Sequence, residues 1–256
     1  MAKGNFPACL AVTLPHEGGW ADHPKDPGGA TMKGITLATF RQYYPDASKA
    51  DLRAISDKDV ERIYRVGYWG PIRGEQLPAG VDLAVFDYGV NSGPSRAAKA
   101  LQASVGASVD GKIGLETIGA TDKRDPVATV KAVCARRLSF LRGLSTFSTF
   151  GKGWSRRVAD VEAKGVAMAG AGAAVLRAEA DKAAKASNDQ AKVATGTGAA
   201  GAGGGGFEIA SGDVNWLLVF GVIVVAMIVV SLVKSRSNIN KDRAVAYSAV
   251  ARQVSE

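Results

Sequence analysis

Along the first 160 residues, apolar positions recur at helical rather than alternating spacing. In SDKDVERIYRVGYW, Val60, Ile63, Tyr64 and, a turn later, Tyr68 fall on one face, and Ser56 with Asp59 three residues on is a weak capping box. VDLAVFDYGV sets Val81, Val85, Phe86 and Val90 at near-helical spacing, and Asn91-Ser-Gly-Pro ends the run. A short helical run from Ala8 to His16, together with RAAKALQASV and PVATVKAVCARRLSFLRGL, predicts further helices. Strand patterns are few and short, so this region predicts a mainly α domain.

The pattern changes twice beyond residue 160. Residues 165–213 hold 11 Gly and 16 Ala. The first part, AVLRAEADKAAKASNDQAKVA, reads as a solvated helix, whereas TGTGAAGAGGGG reads as a flexible tether without structure. Residues 214–233, VNWLLVFGVIVVAMIVVSLV, carry no charge over twenty positions. At about 1.5 Å per residue that length matches a hydrocarbon core of about 30 Å, so a single transmembrane helix is predicted there. Trp216 suits a membrane interface. Glu208 and Asp213 precede the run, and Lys234, Arg236, Lys241 and Arg243 follow it. The excess of cations after the run predicts a cytoplasmic tail over 234–256, with the domain on the periplasmic or wall side of a bacterial cytoplasmic membrane. MAKGNFPACLAVTLP does not have the form of a secretory signal, so this topology requires another route across, such as passage aided by a holin.

Composition narrows the function. The 256 residues carry 32 Lys plus Arg against 24 Asp plus Glu, a net charge of +8, of which +6 lies in residues 1–160. A basic domain suits wall polymers rich in carboxylate and phosphate. Its cations are dispersed among acids without a nucleic-acid motif, so no nucleic-acid partner is expected. Two cysteines, Cys9 and Cys134, exclude a disulfide-dense scaffold and read as buried free thiols. His16 and His23 are too few for a histidine metal site, and neither metal nor cofactor is expected.

The candidate chemistry concentrates in PHEGGWADHPKDPGGATMKGIT, residues 15–36. Glu17 ends a helical run that Gly18-Gly19 terminates. A carboxyl at a helix carboxyl end faces the negative pole of the dipole, which favours its neutral form and suits a proton donor. Pro15, two residues earlier, removes a backbone donor and threatens a kink that would misdirect Glu17. Asp22 and Asp26 follow in a Pro/Gly-rich loop, as turn formers or as a second carboxylate of a glycosidase pair.

EGGW-(x)5-DPGGATMKGIT, IYRVGYW, FDYGVNSG, ALQASVG-(x)3-DGKIGLET and GWSRRV, in this order from about Phe6 to about Val161, resemble the glycoside hydrolase family 108 lysozymes, N-acetylmuramidases common as phage endolysins. The resemblance implies a lysozyme-like catalytic part over 5–95 and a peptidoglycan-binding part over 96–164. The linker (165–213), span (214–233) and tail (234–256) follow. It implies Glu17 as the catalytic acid. Asp26 and the loop through Thr36, with Asp22 in that stretch, would border the sugar cleft, and Asp87, Tyr88 and Asn91 would lie close to it. Gln102, Asp110 and Thr117 read as structural. Tyr64, Trp69 and Trp154 read as packing residues, and Tyr68 too is assigned no ligand. The implied reaction is hydrolysis of the bond between N-acetylmuramic acid and N-acetylglucosamine in peptidoglycan, for host lysis. Two alternatives stand beside it: a membrane-anchored wall-binding protein without catalysis, suggested by Pro15, and the same muramidase serving secretion or virion assembly.

Overall fold

The computed structural model describes residues 4–23, 29–202 and 216–256, with the side chains of residues 195–223 and of Ala226 outside that description. The chain divides into two units, Met1–Ala171 and Gly172–Glu256.

The first unit opens with α1 (Phe6–Thr13), which buries Phe6, Cys9, Leu10 and Thr13 on one stripe. The helix then tightens into a 3-10 turn, Leu14–His16. Pro15 falls in the first positions of that turn, where a missing N–H costs nothing. The Glu17 amide bonds to the Leu14 carbonyl at 3.0 Å, and Gly18 stops the run at φ +76°. Pro15 therefore tightens the end of the helix instead of kinking its middle.

The loop that follows carries a hairpin that the sequence pattern did not predict. β1 (Thr31–Met32) pairs antiparallel with β2 (Ile35–Thr36). Lys33 and Gly34 join them with φ of +50° and +74°, the mirror-image turn that suits strand twist. Three short helices complete this lobe: α2 (Leu37–Arg41), α3 (Lys49–Arg53) and α4 (Asp57–Tyr64), capped by the side chains of Thr36, Ser48 and Ser56. Asp51 closes a full capping box with Ser48. After Tyr64 the helix widens into a π turn, Arg65–Trp69.

α5 (Val81–Ser92) is the central helix, and its first nine residues are all buried. It is buried around its whole circumference because α1, α6 (Pro94–Val105), α8 (Pro126–Arg142) and α9 (Phe147–Met168) pack about it. Phe6, Trp69 and Phe86 form an edge-to-face cluster with centroids 5.2 to 5.7 Å apart. Between α6 and α7 (Leu115–Asp122), buried Gln102 donates to Asp110 and Thr117 and accepts from the Gly111 amide, which fixes the connecting loop. Cys9 and Cys134 are buried thiols that form no disulfide.

The second unit is a helical hairpin of α10 (Ala173–Ala202) and α11 (Trp216–Gln253). Leu176, Ala180 and Ala183 are buried on α10, as are Ile239, Tyr247, Val250 and Ala251 on α11. Polar contacts set an antiparallel register: Arg177 to Ser255 at 2.8 Å, Ser187 to the Ser237 carbonyl at 2.9 Å, and Asn240 to Gln190 at 3.1 Å.

This hairpin corrects two expectations. The helix expected over 174–194 is present, with Leu176, Ala180 and Ala183 as its buried stripe, but it runs on through Ala202, so residues 195–202 of the expected tether are helical. Residues 203–213 of the expected linker, with Val214 and Asn215, lie outside the described residues. The second correction concerns the membrane. Among the described residues no helix is long and apolar enough to cross one. A single crossing would also separate α10 from residues 234–256, yet the two pack together, and α11 continues unbroken past Val233.

Candidate active site

Glu17 caps the 3-10 turn, so the end of α1 fixes its backbone, and its side chain is 17% exposed. The Arg157 guanidinium, from α9, lies against it with Nη2 2.6 Å from Oε1. Oε1 itself is buried and has no aligned hydrogen bond, so the contact is one of charge on charge. Arg157 is also committed elsewhere. Its Nε lies 2.9 Å from Oδ1 of Asp87, and its Nη2 lies 2.9 Å from Oδ2. Arg137, from α8, donates through Nη1 to Oδ1 of the same carboxylate.

Asp87 is fully buried and Arg137 is 1% exposed. Burial alone would push the Asp87 carboxyl up, but the two guanidiniums outweigh it and hold it below the usual carboxylate range. Four side chains from the end of α1, from α5, α8 and α9 thus form one chain of charge: Glu17, Arg157, Asp87, Arg137.

The other wall comes from the small lobe. Tyr64 donates to the Lys33 carbonyl at 2.7 Å, tying α4 to the hairpin turn. A Cβ on Gly34 would stand 2.8 Å from both Glu17 Oε2 and the Tyr64 hydroxyl, so only glycine fits beside the carboxyl. Burial, then the negative charge of Glu17, pushes the Tyr64 and Tyr68 hydroxyls up, and both are uncharged donors at neutral pH. Beside Glu17, His16 contacts Asp160 at 3.0 Å, and Lys164 contacts the same carboxylate at 2.9 Å. Burial raises the Asp160 carboxyl, but His16 and Lys164 bring it below its ordinary range.

The structure brings together only some of the residues expected in the cleft. Asp87 joins Glu17 through Arg157, but from inside the core, where it reaches no ligand. Tyr88 is 2% exposed, with its ring beneath the Arg137 guanidinium, and is a core residue. Asn91 is half-buried at the end of α5 and accepts from Ser92. Thr36 caps α2 through the Thr39 amide. Asp22 is an exposed residue held by Lys49 at 3.1 Å from both oxygens. Asp26 lies outside the described residues.

Sequence reasoning missed Arg157, Arg137 and Gly34, and it read Tyr64 only as packing. The signal for the arginines was present. Arg137 lies on the buried stripe Val130, Val133, Cys134, Leu141, and Arg157 on the stripe Val158, Val161, Glu162, Gly165. A charged residue on a buried stripe needs a buried partner, and Asp87 within apolar α5 is that partner.

The site thus sets a partly buried carboxyl, one oxygen against a guanidinium, beside two uncharged tyrosine hydroxyls. The family model described as Glycosyl hydrolase 108 matches residues 10–93. The solved structure of Brucella abortus SagA is 45% identical, with a TM-score of 0.59, and the match covers 65% of this chain and 96% of that one. No curated protein matches the chain. The chain belongs to the glycosyl hydrolase 108 family.

Proposed function

We propose that this glycoside hydrolase is an N-acetylmuramidase, cleaving peptidoglycan between N-acetylmuramic acid and N-acetylglucosamine with Glu17 as general acid. The observation that carries the reading is the Glu17 carboxyl itself: it is half-buried, with Oε1 against Arg157 and Oε2 on the side of Gly34 and Tyr64. Protonated Glu17 donates to the bridging oxygen as the bond to the muramic acid ring breaks. Positive charge develops on that ring, and a water or carboxylate captures it. Asp26, Thr36 and Asn91 border the sugar chain in this reading, whereas Asp87 acts from beneath. The +6 charge of residues 1–160 favours approach to an anionic wall.

The second unit supports attachment to a membrane. Val225, Met227, Ile228, Val229 and Leu232 stand 42–60% exposed in succession on α11, an apolar surface that water does not favour. The run from Trp216 to Val233 carries no charge, and Lys234 and Arg236 follow it. Embedding that run would hold a wall hydrolase close to its substrate. Lysis of a host by a phage-type endolysin, secretion and virion assembly all use this one reaction.

The test is chemical. Full-length chain incubated with purified peptidoglycan is expected to release new reducing ends that are N-acetylmuramic acid. New ends that are N-acetylglucosamine, or wall binding without any new ends, contradict the proposal.

A further inference from the structure

We propose that Arg157 is a positioning residue that divides the work of the two Glu17 oxygens: it holds Oε1 and leaves Oε2 to carry the transferable proton. The inference rests on the reading of Glu17 as the general acid. Arginine only donates hydrogen bonds and stays charged, so a proton on the oxygen it touches would face a cation. That oxygen is Oε1, buried and 2.6 Å from Nη2. Oε2 lies on the other side, close against Gly34, where an added Cβ would stand 2.8 Å from it.

Arg157 cannot swing away to follow a different rotamer of Glu17. Its Nε and Nη2 grip Asp87 at 2.9 Å each, and Arg137 holds Asp87 in turn. Helices α5, α8 and α9 therefore aim one atom at the end of α1. Among the described residues, the other titratable groups near the carboxyl are Tyr64 and Tyr68 on the small-lobe side and His16, paired with Asp160 and Lys164. The Lys33 ammonium is drawn off to Asp57.

Charge makes the inference testable. Asp87, Arg137 and Arg157 together carry one net positive charge. A Glu17 carboxylate cancels it, and a neutral Glu17 does not. Removing the cation at Arg157 and removing the anion at Asp87 must therefore act in opposite directions on the alkaline limb of activity, where the acid loses its proton.

The experiment measures kcat and KM against pH for the full chain, with folding checked by near-UV circular dichroism. Arg157→Gln is expected to lower kcat about a hundredfold at little change in KM and to move the alkaline limb up by about one pH unit. Asp87→Asn is expected to move that limb down. Arg157→Lys keeps the charge but loses the fork, so kcat falls about tenfold and the limb stays in place. Limbs that move the same way in the Gln and Asn variants, or not at all, overturn the proposal. If either variant fails to fold, Arg157→Lys decides: a lower kcat at unchanged KM supports the role, and wild-type kcat overturns it. Absence of muramidase activity in the unaltered chain would instead remove the underlying reading of Glu17.

Discussion

Asp87 does its work without touching solvent. A buried carboxylate is costly unless opposite charges and hydrogen bonds surround it, and here two guanidiniums do so. Removing one partner of such a pair strands the others. Asp87→Ala is therefore expected to cost about 3–5 kcal/mol, read from urea unfolding at pH 7. The pH dependence follows from the depressed carboxyl. Its stabilising contribution is fully present above the ordinary Asp range near pH 4 and is lost as pH falls through the lower folded value. Wild type should thus lose stability on acidification below about pH 4, and the variant should lose less. Asp82, at the start of α5, has the opposite sign. Burial pushes it up to about 6, against bonds from Asn5 and the Leu83 amide. Its penalty sets in as pH rises from about 4 through about 6, so Asp82→Asn is expected to raise the unfolding midpoint at pH 7 relative to wild type more than at pH 4.

At the scale of elements, the hairpin turn decides whether the small lobe and Glu17 fit together. Gly34→Ala would put a methyl carbon 2.8 Å from Glu17 Oε2 and the Tyr64 hydroxyl, at a backbone φ of +74°. The expected result is a loss of about 1–2 kcal/mol from the backbone alone and a kcat reduced more than tenfold, measured by thermal unfolding and reducing-end release. This element also marks the boundary of what periodicity reveals. The long helices were legible, because α4, α5, α6 and α8 show their buried stripes or continuous apolar runs in the sequence. The helix end at Glu17 was legible because Gly18-Gly19 marks it. The two-residue strands were not, since alternation needs more positions than Thr31–Met32 and Ile35–Thr36 supply. Arg157 stands 140 positions from Glu17, and only the packing of α9 across the end of α1 brings them together.

For the whole molecule, the second unit bears on where catalysis takes place. The pairing of α10 with residues 237–255 holds the start of α10 and the carboxyl tail together. If the apolar run of α11 enters a bilayer with this hairpin intact, both ends of the unit remain on one face. The full chain reconstituted in sealed anionic vesicles is then expected to resist carbonate extraction. Protease added outside should either remove both residues 173–194 and 234–256 or spare both. Loss of only one segment would show a single crossing, and full carbonate extraction would remove the membrane reading. Neither result would alter the catalytic assignment, which belongs to the first unit alone.

That assignment meets its most direct test in Glu17→Gln, which keeps the shape of the side chain and removes its acid. The measurement is reducing-end release from purified peptidoglycan by the full chain at pH 6 to 8, with near-UV circular dichroism confirming the fold. The wild type should generate N-acetylmuramic acid ends, and the variant should lose at least about a hundredfold in rate. A folded Glu17→Gln protein that cleaves as fast as wild type would contradict the account.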